Sequence, residues 1–332
     1  MVSQTGAITP RRPSWLRAGS QLAQIAPPLI ALIVATAAIS LYNPFFLSAA
    51  NLGRLASVSA IPVLLATGAT FVIVMGSIDL SVQGVIALSA AITAMVLRID
   101  GGALGSLLAL MAAVATGIAT GAVSGLLHTV LRIPSFMVTL GMWFVSAGLA
   151  TLLLGGGTIA VRAADLRVLV LQRVFGLPLA VWMVLAIVAL AALMQARSRF
   201  GRHVMAIGGN EEIAALSGLP IRRTRAAVFA IAGGFYGLAA ALSVAQLGQG
   251  NVSIGDGRLF TTITAVVLGG TSLIGGRGGV VNSVLGVLLV TVLGNGMILM
   301  GVPPYLQQAV LGVLIILAVA SSTARLREGV YK

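Results

Sequence analysis

The chain has 332 residues, 58% of them hydrophobic, with 20 Lys+Arg and 7 Asp+Glu; a soluble domain carries about three times that share of charge, so an ordinary soluble globule is excluded. The net charge of +13 comes without a basic face flanked by aromatic readers, which argues against a nucleic-acid partner. Zero cysteines exclude disulfides, thiolate metal sites and cysteine nucleophiles.

About 20 apolar residues cross a bilayer as a helix. Ten stretches of this kind are predicted, at 23–42, 55–75, 82–97, 106–131, 135–154, 178–195, 226–246, 259–276, 278–300 and 304–320. The fold class is therefore an all-α polytopic membrane protein of about ten transmembrane helices, some short or broken by Gly and Pro, in two loosely repeated halves.

A tail, 1–22, precedes the first span and carries Arg11, Arg12 and Arg17. The apolar run from Ile25 to Tyr42 is longer than the core of a secretory signal, begins with Pro27-Pro28 and lacks a cleavage pattern, so it reads as a membrane helix. Trp15, Tyr42, Phe45, Phe46 and Tyr305 read as interfacial anchors.

The second span runs into Gly76-Ser77-Ile78-Asp79-Leu80-Ser81. Asp79 stands between two long apolar runs, where a charge must be paired, capping or in contact with water. It reads either as a cap on the third helix, together with Ser81, or as a residue of a solute pathway.

Further along, His128 and His203 have no second ligand at metal spacing and read as packing or surface residues. Gly141, Gly148, Gly233, Gly234, Gly237 and Gly286 read as points of close helix packing. Trp143, Phe144, Trp182, Phe235 and Tyr236 read as lipid-facing or core aromatics rather than a stacking platform for a sugar. The stretch 155–177, with three arginines, reads as an interfacial amphipathic piece or a solvated connector.

Residues 196–225 interrupt the hydrophobicity and form the largest polar feature. Asn210 is a good N-cap, Glu211 and Glu212 suit a first turn, Gly218 suits the end and Pro220 stops continuation, which predicts one short helix at 211–217. So short a helix needs something packed on it. Ile213, Ala214 and Leu216, with small Ala215 and Ser217, offer a surface either for a soluble partner or for the membrane.

In the second half Val266-Val267-Leu268 meets Gly269-Gly270-Thr271-Ser272, and a later span breaks at Val302-Pro303-Pro304, loosely repeating the breaks at Gly76 and at Ile133-Pro134. Interrupted segments in corresponding positions of two halves are where transporters place their pathway. Gly269, Gly270, Thr271 and Ser272 thus join Asp79 and Ser81 as pathway or structural candidates.

With the N-terminus inside, bases 11, 12, 17, 132, 197, 199, 202, 222, 223, 225, 277, 325, 327 and 332 fall inside, and 54, 98, 162, 167, 173 and 258 fall outside. This asymmetry favours cytoplasmic termini. The chain then divides into a cytoplasmic tail (1–22), a transmembrane region (23–195), a cytoplasmic loop (196–225), a second transmembrane region (226–320) and a cytoplasmic tail (321–332).

Several of these motifs, in this order, resemble the permease subunits of ribose-type (simple-sugar) ATP-binding-cassette importers. They are Arg199-Phe200-Gly201-Arg202, Ile207-Gly208-Gly209-Asn210-Glu211 and Ala215-Leu216-Ser217-Gly218, with Ile78-Asp79-Leu80-Ser81, Pro134 to Gly141 and Ala265 to Gly278. Asn295-Gly296 and Gly301-Val302 follow. Ser77 and Gln83 stand where the resembling motif has glycines.

The resemblance implies that the loop helix is a coupling helix seated on a cytoplasmic ATPase subunit. The ATPase-coupling residues are then Gly208, Gly209, Asn210, Glu211, Glu212, Ala214, Ala215, Leu216 and Gly218. It further implies a periplasmic substrate-binding protein, a second permease subunit that is a copy or a relative, a bacterial inner-membrane location, and a small polar solute, most simply a sugar. ATP and its cofactor chemistry belong to the partner, since this chain has no phosphate-binding G-x-x-x-x-G-K-[ST] loop. Two other classes fit the sequence less well. An ion-coupled secondary transporter wants several intramembrane titrating groups, and the sequence offers essentially Asp79; an intramembrane enzyme wants a nucleophile–base or metal set, and none converges.

Overall fold

The computed structural model describes residues 14–161, 164–307, 309, 310, 312–314 and 316. Most of the 1–22 tail, including Arg11 and Arg12, and the whole 321–332 tail lie outside the described residues, as do Arg162, the side chain of Trp15 and part of the 304–320 span.

Twelve helices follow in order: α1 (Ser14–Tyr42), α2 (Ala49–Val74), α3 (Val82–Ile99), α4 (Ala103–Val130), α5 (Ser135–Leu154), α6 (Ala164–Leu171), α7 (Leu179–Arg197), α8 (Arg199–Gly209), α9 (Glu211–Leu216), α10 (Ile221–Leu247), α11 (Arg258–Leu268) and α12 (Val280–Leu299). Residues 304–307, with 309, 310, 312–314 and 316, are also helical. Two short 3-10 helices, Pro44–Leu47 and Val252–Gly255, and two small antiparallel ladders, Ile159–Ala160 with Gln249–Gly250 and Arg173–Val174 with Leu177–Pro178, complete the described structure.

Among the described residues, eight helices are long and apolar enough to cross a membrane: α1 over Ile25–Tyr42, and α2, α3, α4, α5, α7, α10 and α12. They match eight of the ten predicted spans. The 259–276 span is different. Its helix α11 stops at Leu268, because Gly270 takes a positive φ of 90° and the chain continues as a glycine loop up to α12.

Most of α2, α3 and α10 is enclosed by other helices, while α1, α4, α5, α7 and α12 turn apolar side chains outward. The most extensive pairing joins α4 to α10. It depends on glycine: a Cβ at Gly117 would collide with the Gly233 carbonyl, one at Gly121 with that of Phe229, and one at Gly237 with that of Ala113. Backbones that approach this closely gain dispersion contacts, the main source of helix association where lipid is the solvent.

Gly141 and Gly148 do not follow this rule. Both lie on an open face of α5 with nothing within 4 Å of an added Cβ, which corrects their reading as packing points. Phe46 corrects another: it is fully buried with Ile39, Leu55 and Val292, whereas its predicted fellow anchors Tyr42, Phe45 and Tyr305 are exposed.

Inside the bundle, polar side chains find one another. Asn51 and Asn295 exchange amide hydrogen bonds of 3.1 and 3.2 Å between α2 and α12. Toward the other end of the same pairing, the Thr70 hydroxyl donates to Ser283 Oγ at 2.6 Å.

Candidate coupling and translocation site

The polar interruption at 196–225 is more helical than its composition implies. Here α7 continues to Arg197, α8 fills Arg199–Gly209, and α10 begins at Ile221. The missed signal is Ser198, whose hydroxyl accepts from the Gly201 N–H at 3.0 Å and caps α8. Glycines at 201, 208 and 209 masked that helix by lowering its propensity.

Asn210 behaves as its type predicts. Its Oδ1 accepts from the Ile213 N–H at 3.0 Å, so α9 starts at Glu211, and it ends at Leu216, one residue before the expected limit. Gly218, at φ 76°, closes the helix: its own N–H reaches the Ala215 carbonyl and that of Leu219 reaches Ala214. Ala214, 3% exposed, is the side chain turned inward. Glu211, Glu212, Ala215 and Ser217 are exposed, and Ile213 and Leu216 stand 62% and 89% exposed. On a six-residue helix these apolar side chains have no covering surface within the described chain. Glu211 also pairs with Arg225 of α10, fixing the approach of one helix to the other.

Behind α9, the end of α8 is pressed against both glycine-rich breaks. The N–H of Gly276 donates to the Val74 carbonyl at 2.8 Å. A Cβ at Gly208 would collide with that same carbonyl and with the Gly276 nitrogen, and one at Gly275 or Gly276 would collide with Gly208 or Gly209. Three backbone segments, 74–76, 208–209 and 275–276, therefore meet without intervening side chains. Gly208 and Gly209 are among the residues the sequence points to; Val74, Gly275 and Gly276 are not, although the run of glycines is plain in the sequence.

The two breaks share one turn. At the end of α2 the Gly76 N–H donates to Ile73 and the Ser77 N–H to Val72; at the end of α11 the Gly270 N–H donates to Val267 and the Thr271 N–H to Val266. Each glycine has positive φ, 81° and 90°. The loosely repeated halves thus coincide at this point, Gly76 with Gly270 and Ser77 with Thr271, and the next helix of each half begins a few residues on.

After the first turn the chain passes Asp79, which is 7% exposed. Its Oδ1 accepts from the Ser81 N–H at 2.8 Å and from the Ser81 hydroxyl at 2.6 Å. The Asx turn so formed sets the entry to α3 one residue ahead of the helix proper. The adjacent backbone is braced on α5, with the Ile78 N–H donating to Ser135 Oγ at 3.1 Å and the Leu80 N–H to Thr139 Oγ1 at 2.9 Å. Buried Tyr236, on α10, carries a hydroxyl that has no hydrogen-bond partner within 3.5 Å.

Asp79 also lines a cavity of about 120 Å³ with Ala69 and Ile73 of α2, Val82 of α3, Thr262 and Ile263 of α11, and Leu273 of the second break. Both readings of this carboxylate therefore have structural substance. The second set of candidates is spent on the loop itself. Thr271 Oγ1 accepts from the Gly279 N–H, Ser272 Oγ accepts from the Ile274 N–H, the Gly269 carbonyl accepts from Asn282, and Gly270 forms the turn. His128 and His203 belong to no metal-ligand group among the described residues.

Comparison with known proteins follows the same lines. Residues 51–319 match the family described as branched-chain amino acid transport system / permease component. The chain is similar to the ribose import permease protein RbsC of Bacillus subtilis, 39% identical over 88% of this chain and 90% of that protein. It is also similar to the Escherichia coli K12 protein of the same description, at 36% over 88% and 91%. The L-arabinose transport system permease protein AraH of Escherichia coli K12 is 32% identical over 88% of both chains. No solved structure gives a significant match.

Proposed function

This chain belongs to the branched-chain amino acid transport system / permease component family, and we propose that it forms the path of a monosaccharide, or a solute like one, through an ATP-binding-cassette importer. The relatives matched over most of their length are permeases named for ribose and arabinose, which favours a sugar over the amino acids of the family's title. Importers of this kind work with an ATPase and a binding protein. In this reading α9 faces the cytoplasm and seats on the ATPase, and a second permease subunit completes the path.

The observation that carries the mechanism is the meeting of α8 with both breaks. A displacement of α9 reaches Gly208 and Gly209 through a single residue, Asn210, and from there it acts directly on the backbones of Val74–Gly76 and Gly275–Gly276. Those segments lead within a few residues to Asp79 and Leu273, which line the cavity between α2, α3 and α11. Close-packed backbones are bistable rather than soft, so a small movement at the loop is converted into a change of arrangement at the breaks. Among the described residues Asp79 is the only buried carboxylate, so no relay of titrating groups supports ion coupling.

Reconstitution in proteoliposomes with the ATPase and binding protein of its own system tests this reading. Labelled sugar is expected to accumulate with ATP and binding protein present, and to do so in the presence of a protonophore. Uptake that follows an ion gradient without ATP would overturn the proposal.

A further inference from the structure

A second cavity lies beside α9, between the turn joining α4 to α5 and the start of α10. Its volume is about 450 Å³, and its walls include His128, Arg132, Pro134, Glu211, Arg222 and Arg225. Three arginines thus line the cavity with one glutamate, whose carboxylate is already paired with Arg225.

The arrangement is costly as it stands. Arg222, Arg223 and Arg225 crowd the first turns of α10, where the helix dipole favours negative charge, and the helix has neither an acidic residue in its first turn nor a capping side chain. Arg132 holds a positive φ of 57° that non-glycine residues avoid. Arg225 Nε is a buried donor without a partner. His128 donates through Nδ1 to the Ile133 carbonyl at 2.6 Å, and its buried Nε2 is left unpartnered. An oxyanion in this cavity would relieve the crowded charge, the uncapped helix start and the orphaned guanidinium nitrogen together.

We propose that the cavity binds the phosphodiester headgroup of an anionic glycerophospholipid from the cytoplasmic leaflet. A lipid fits better than free phosphate because the α4–α5 turn that carries Arg132 also exposes Leu131 and Phe136 at the ends of membrane helices. Acyl chains have an apolar surface there while the phosphate sits among the arginines. The occupied site would hold α10 against the turn and set the resting position of α9 through Arg225 and Glu211.

The proposal rests on the cytoplasmic placement of α9, yet its test needs neither ATPase nor transported solute, so either reading can fail alone. The full chain, delipidated in neutral detergent, is titrated with phosphatidylglycerol and with phosphatidylcholine, and binding is followed by native mass spectrometry. Phosphatidylglycerol is expected to be retained selectively. Arg132→Ala with Arg222→Ala should weaken it about thirtyfold, the effect of two basic charges at an anionic surface. The Arg132→Lys with Arg222→Lys pair should retain most of the binding, and Arg98→Ala, at the far end of α3, should leave it unchanged. Equal retention of the two lipids would overturn the proposal, as would a folded alanine double variant that binds like the parent. Displacement by millimolar inorganic phosphate would assign the site to a free anion, and displacement by the ATPase subunit would assign it to that protein; either result overturns the lipid assignment.

Discussion

Gly208 and Gly209 are adjacent, chemically identical and differently constrained. An added methyl on Gly208 runs into the Val74 carbonyl and the Gly276 nitrogen, both backbone, whereas one on Gly209 meets nothing within 4 Å. Gly208→Ala should therefore cost about 1–3 kcal/mol as an overpacked contact and reduce ATP-driven transport, while Gly209→Ala should leave both near the parent. Thermal unfolding in detergent and sugar uptake measure the two effects, and equal behaviour of the two variants would remove the backbone junction from the mechanism. Asp79 admits a similar separation. Asp79→Asn keeps an Oδ1 acceptor for Ser81, so it should fold within about 1 kcal/mol of the parent, whereas Asp79→Ala leaves the Ser81 N–H and hydroxyl unsatisfied at about 1–3 kcal/mol. Asp79→Arg should not fold. Full uptake by the asparagine variant would confine Asp79 to shaping the turn; a folded variant without uptake would show that the charge itself serves the solute path.

At the scale of elements, α9 shows what the sequence could and could not disclose. Its start was legible because an N-cap acts through one side chain on the next three residues, and its end because Gly218 and Pro220 are local signals. The neighbouring α8 was not legible. Its glycines look like a loop until the chain is folded, and their purpose, contact with Val74 and Gly276, depends on residues more than sixty positions away in sequence. The same reason hides the length of α11: composition alone carries its span to residue 276, whereas the helix ends at Leu268, before the positive φ at Gly270. The two readings of Asp79 also stayed open because hydrogen bonding to Ser81 is local, while the cavity it lines is built by α2, α3, α11 and the second break. Since Leu216 is 89% exposed, Leu216→Asp should alter stability by no more than about 0.5 kcal/mol. The same change places a charge at the centre of the proposed ATPase seat and should weaken co-purification of the ATPase subunit at least tenfold, roughly what a lost interface anchor costs. Unchanged co-purification would detach α9 from that role.

For the whole molecule, the sidedness of the chain decides whether these elements work together. The placement of α9, the coupling path and the lipid cavity all require residues 198–220 to face the cytoplasm and the α6 region to face outward. The excess of arginine on one side argues for this, and absence of cysteine makes it directly measurable, since any introduced thiol is the only one in the chain. Ser217 and Gln172 are both exposed, the first just beyond α9 and the second just beyond α6. In intact cells or right-side-out vesicles, a membrane-impermeant maleimide should label Gln172→Cys at once and Ser217→Cys only after the membrane is opened; inverted vesicles should reverse the order. Labelling of Ser217→Cys from outside would place α9 beyond the reach of any cytoplasmic ATPase, and with it the importer mechanism built on Gly208 would fail, however well the helices themselves are packed.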